Sequence, residues 1–138
     1  MLAEPLTRWS IRLALALYVV FLAGRLTAAD PSVRRRWERP VWTLACLSFL
    51  VHLAAAMHFY HGWSNSAAIL DTARQTAALF GVRFGEGIYF SYAFALLWTA
   101  DVAWWWIRPR SYIRRYQPFS LLIHAYLFFI AFNGAIVF

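Results

Sequence analysis

His58 and His61 stand three residues apart in the run His58-Phe59-Tyr60-His61-Gly62-Trp63-Ser64, the stretch best spaced for chemistry. On a continuing helix they share one face. Two imidazoles so placed take zinc, copper or iron when further ligands arrive, and Asp71 and Glu86 are the oxygens within sequence reach. The simpler reading, and the preferred one, is an interfacial pair of histidines among amphipathic neighbours at headgroup level. His52 does not join them, because nine helical steps from His61 lead to the opposite side of the helix.

A second set of ionisable groups lies inside apolar sequence: Arg25, Asp101 and His124. Each costs about 2.5–3.5 kcal/mol to place in hydrocarbon and therefore needs a reason. Counting residues from the arginine-rich ends puts all three about 9 Å deep on different helices. The expected arrangement is a polar cluster, Asp101 pairing with Arg25 or bonding His124, that fixes helix register. A proton relay through Asp101 and His124 is the functional alternative. His52 falls near the bilayer midplane with Ser48, Ala55 and Ala56 on its face, and is expected to point inward and hydrogen-bond a neighbour. A haem held by His52 and His124 needs the two at equal depth, whereas residue counts separate them by roughly 9 Å along the membrane normal. No cofactor is predicted from these residues.

The remaining chemistry is sparse. Motifs for a serine or cysteine nucleophile, a phosphate loop or a zinc-protease helix are missing from the sequence, and six acidic residues furnish a hydrolytic site thinly. Cys46 is the one cysteine, so no internal disulfide forms, and its apolar setting reads as a buried thiol.

The elements that must position these groups are set by composition. Of 138 residues 62% are hydrophobic and 14% charged, against about 45–50% and 25% in soluble domains; mean hydropathy is +0.54. The apolar residues fall in four blocks, at about 9–29, 41–60, 88–107 and 119–138. Each is about 20 residues long and spans about 30 Å as a helix. The fold expected is all-α, an integral membrane four-helix bundle forming a single polytopic domain over 1–138. An extra amphipathic helix is expected at about 65–80, in the outer loop between spans two and three. Ser64 or Ser66 can cap it and Gly81 can end it, while Ile69, Ala73, Ala77 and Phe80 recur on one side.

Orientation follows from charge. The formal net charge is +7 and every basic residue is arginine. Arg34, Arg35, Arg36 and Arg39 crowd the first connection, and Arg108, Arg110, Arg114 and Arg115 the third. Short arginine-rich connections stay cytoplasmic, so both termini and the long connection are expected outside. Arg8 and Arg12 oppose this but are outnumbered. Trp104, Trp105 and Trp106 mark the inner interface, and Trp9, Tyr60, Trp63 and Tyr89 the outer one. Thr27-Ala28-Ala29 resembles a signal cleavage site, but cleavage there would strand four arginines outside, so the first block is read as a span.

Flanking arginines also favour lipid over nucleic acid as the partner. The expected setting is the cytoplasmic membrane of a bacterium, with the bilayer, a second copy or a larger membrane complex as partners. Three functions are carried forward. The preferred one is a non-catalytic membrane component or accessory subunit. The others are a haem- or metal-binding redox subunit using His58 and His61, with His52, and a small transporter or proton conductor using Asp101 and His124.

Overall fold

The computed structural model describes residues 3–27 and 30–137. Among the described residues the chain is all-helical, with no strand: α1 Ala3–Thr27, α2 Pro31–Phe59, α3 Asn65–Phe80, α4 Ile88–Ile107, α5 Pro109–Ile113 and α6 Gln117–Val137, plus a 3-10 turn at Gly85–Gly87. Ala28 and Ala29 of the first expected span and Phe138 of the last lie outside the described residues.

α1 and α2 form an antiparallel hairpin. Its rungs run from the Thr7 carbonyl, 2.9 Å from His52 Nδ1, through Phe21 stacked on Trp42 at 4.2 Å, to Arg25 beside Glu38. Gly24 permits the close approach near the turn, because a Cβ there would sit 1.8 Å from the Trp37 ring. α4 runs back along α2, with Phe94 edge-on to Phe49 at 4.7 Å and Trp98 4.9 Å from Trp42. α6 returns along α4, and its Tyr126 hydroxyl donates to the Phe90 carbonyl at 3.0 Å. Tyr18, Phe21, Trp42, Phe94, Trp98 and Leu127 form the centre of the core.

α2 begins ten residues before its expected start at 41. Asp30 caps it by accepting from the Ser32 amide, and Pro31 takes the first turn, where a missing N–H is harmless. The connection expected to hold Arg34, Arg36 and Arg39 is thus the first third of a helix, and Pro40, expected to open α2, lies inside it. Without an amide at 40, the Arg36 carbonyl loses its helical partner. Twenty-nine residues extend about 43 Å, more than the roughly 30 Å of a hydrocarbon slab.

α3 starts at Ser64, whose hydroxyl accepts from the Ala67 amide, and stops at Gly81 in the left-handed region at φ 72°. It is fixed to the start of α4 by Asn65, which donates to Tyr89 and accepts from the Tyr92 hydroxyl. Phe84 closes back through its amide onto Thr76 Oγ1 at 2.9 Å. The third connection is also helical: Pro109 opens α5, which turns Tyr112 and Arg115 under the ends of α4 and α6.

Among the described residues two helices, Ala3–Thr27 and Ser32–Phe59, are long and apolar enough to cross a membrane. Only 28% and 33% of their most apolar stretches are buried, unlike core helices of a water-soluble domain.

Candidate polar site at the arginine end

The end of α1, the starts of α2 and α6 and all of α5 meet around the last turns of α4, and the buried charged residues Asp101 and Glu38 lie there. Asp101, on the inward face of α4, is 3% exposed. It accepts from three donors: Trp42 Nε1 at 2.9 Å, the Tyr112 hydroxyl at 2.9 Å, and Arg115 Nη1 in a short ion pair. Arg115 is nearly buried, and its guanidinium also lies 4.1 Å over the Tyr112 ring. Its Nη2 contacts the Tyr112 hydroxyl at 3.2 Å and His124 Nε2 at 3.3 Å. Trp105 stacks on Tyr112 at 4.5 Å and holds α5 in place. Tyr112 pays for this seclusion with a phenol pKa pushed up, first by burial and then by the Asp101 carboxylate.

A second layer lies nearer the surface. Arg25 Nη1 sits 3.0 Å from the same His124 Nε2. Two guanidiniums facing one ring nitrogen require it to accept, which fixes the neutral His124 tautomer with its proton on Nδ1. Beyond His124, Glu38 is buried and faces Arg25 Nε at 3.7 Å and Arg34 Nε at 3.3 Å. Further out, Arg39 lies 4.0 Å over the Trp106 ring, whose Nε1 donates to Thr43 at 2.9 Å.

Arg25, Asp101 and His124 therefore share one network, linked by Arg115. Asp101 pairs with Arg115, while Arg25 reaches His124 and Glu38. Arg115, Tyr112, Trp42 and Glu38 escaped the sequence reading. In the sequence Arg115 reads only as a topology charge. Its signal was Pro109 as a helix opener, with Tyr112 and Arg115 three apart on the turn that follows.

At the opposite end, α2 stops at Phe59, and Gly62 and Trp63 take positive φ values of 54° and 60°. The helical spacing that would set His58 and His61 on one face ends between them. His58 Nδ1 accepts from Trp63 Nε1 at 3.3 Å, while His61 lines an open cleft of about 290 Å³ with Asp71 and Arg74. No group of three or more His, Cys, Asp or Glu side chains converges on a metal position among the described residues. His52 is buried in the α1–α2 interface on the Thr7 carbonyl. Cys46 is buried too, 3.9 Å from the Thr99 hydroxyl.

The long helices also expose large apolar side chains. A shallow groove of about 370 Å³ between α1 and α2 is lined by Trp9, Leu13, Leu44 and Leu47 among others. Compared with protein-family models, with curated proteins and with solved structures, the chain matches none.

Proposed function

We propose that the chain is a multi-pass integral membrane protein with four crossing helices, acting as a non-catalytic membrane component or accessory subunit. The observation carrying this reading is the unpartnered apolar surface on every long helix: Trp9, Leu13 and Val19 on α1, Leu44 and Leu47 on α2, Phe90 and Leu96 on α4, Leu121 and Phe129 on α6. Solvent-accessible area points the same way. It is 9100 Å² for a 16.0 kDa chain, where a compact soluble monomer of that mass exposes about 7,400 Å². Such continuous apolar surface suits lipid or a partner helix.

α6 is apolar over Gln117–Asn133, and the lower hydropathy of α4 beside α1 and α2 has a chemical reason. α4 carries Trp98, Trp104, Trp105, Trp106, Tyr89 and Tyr92, whose polar tips depress its hydropathy although their bodies suit a bilayer and its interface. α4 has 20 residues and α6 has 21, about 30 Å each.

The same packing favours a structural over a conducting role for the buried polar site. Asp101 is held by three donors and Arg115 is bound through both terminal nitrogens. Bonds of this kind between helices fix helix register. Fractionation under alkaline carbonate tests the membrane reading, and gentle detergent purification tests the subunit reading. The chain should stay with the membrane pellet and co-purify with a stoichiometric partner, or with itself as an oligomer. A colourless, metal-free preparation is expected; a haem spectrum or a bound metal would replace this reading with the redox one.

A further inference from the structure

We infer that Arg25 and Arg34 form a seat for a phosphate group at the arginine end, beside the seam between α1 and α6. The inference rests on the membrane reading only for the source of that phosphate, not for the seat itself. Both guanidiniums depend on Glu38 Oε1, at 3.7 Å and 3.3 Å, longer than the 2.7–2.9 Å of a charge-assisted hydrogen bond. Arg34 Nε is buried without a hydrogen-bond partner. The two side chains nevertheless remain 40% and 30% exposed. Arg34 meets Glu38 through Nε and Arg25 meets Glu38 and His124 through Nε and Nη1, so the donors left for a ligand are Arg25 Nη2 and the two terminal nitrogens of Arg34.

Charge points the same way. Within the connected network, among the described residues, Arg25, Arg34 and Arg115 face two carboxylates, Glu38 and Asp101. Asp101 is taken up by the buried Arg115, and His124 is neutral. One positive charge is left over at the surface side, shared by Arg25 and Arg34. Planar forks bind phosphate through paired N–H bonds, and basic pockets between membrane helices on the cytoplasmic side suit lipid headgroups. Leu26, next to Arg25, is 88% exposed, and Leu121, one turn from His124 on α6, is 71% exposed. These are exposed apolar side chains beside the seat, a surface that suits acyl chains. The phosphodiester of an anionic lipid and free inorganic phosphate share the chemistry that this seat recognises.

The test is thermal unfolding of the full chain in uncharged detergent micelles. Phosphatidylglycerol, phosphatidylcholine and inorganic phosphate are added separately, with chloride matching ionic strength. Phosphatidylglycerol should raise Tm saturably, by about 5 °C at ten times its Kd, and phosphatidylcholine should not. Arg34→Gln and Arg25→Gln should each remove most of the rise, while Arg114→Gln, an exposed arginine outside the network, should retain it. Arg34→Gln is the decisive variant should Arg25→Gln fail to fold, since Arg34 makes no contact with His124. A rise with inorganic phosphate alone, lost in Arg34→Gln, upholds the seat and overturns the lipid as its source. Equal rises with both lipids, or a rise that survives in Arg34→Gln, overturn the seat. A chain that needs no detergent removes the membrane reading, and the inorganic phosphate arm still decides the seat.

Discussion

At the residue scale the account turns on Asp101. Its carboxylate holds α2 through Trp42, α5 through Tyr112, and the start of α6 through Arg115 and His124. Asp101→Ala leaves the Arg115 charge buried and unpaired, and should destabilise the fold by about 3–5 kcal/mol in detergent unfolding. Tyr112→Phe removes one hydrogen bond to a charged acceptor and should cost about 1.5–3 kcal/mol. Because the Tyr112 pKa is raised in the folded state, its contribution is complete below the ordinary phenol value near 10 and is lost as pH rises above it. The alkaline loss of stability should therefore shrink in Tyr112→Phe, which a series of melting curves between pH 8 and about 11 would detect. Asp101, Arg25 and His124 were legible in the sequence as costly charges in apolar blocks. Their principal partner was not, because Arg115 sits among loop arginines until α5 folds it under α4. Charge counting along the chain assigns such a residue to topology, and only the turn at Pro109 reveals that it comes back.

At the element scale, helix was readable wherever caps and periodicity agree, and least readable where a proline carried two meanings. Ser64 and Gly81 bracket α3 by side-chain capping and a left-handed stop. Pro40 opens a helix in one reading and interrupts one in the other, and Asp30 with Pro31 decides between them by starting α2 ten residues earlier. Pro40→Ala should restore an amide to the Arg36 carbonyl and stabilise the chain by about 1–3 kcal/mol, raising Tm without changing helical content by circular dichroism. Ser64→Ala should cost about 0.5–2 kcal/mol and loosen α3 first, seen as faster amide exchange confined to residues 65–80. The Asp30 cap has a pH signature as well. Its carboxyl is held below its ordinary value by the Ser32 amide and hydroxyl, so its contribution is present above about 4 and fades as pH falls through the lowered value. The paired histidines show the opposite failure of sequence reading. A spacing of three means a shared face only on an unbroken helix, and α2 stops at Phe59, between His58 and His61, before the chain turns through positive φ at Gly62 and Trp63.

At the scale of the whole molecule, composition sets the class and surface sets the solvent. The long helices keep large apolar side chains on their outer faces, and most ionisable groups lie toward the two ends, with the buried Asp101–Arg115 pair at the arginine end, the arrangement expected when lipid surrounds the middle and water the ends. With the arginine end cytoplasmic, Ser32 and Ser111 lie on one side and Ser66, in the first turn of α3, on the other. Two crossings and four crossings differ in where Ser111 falls, because only a crossing α4 returns it to the side of Ser32. Single cysteines at these three positions, in a Cys46→Ser background, measure this directly with a membrane-impermeant thiol reagent on intact cells. The four-span account predicts labelling at position 66 in intact cells, and at positions 32 and 111 only after permeabilisation. Labelling of 66 and 111 from the same side would contradict it.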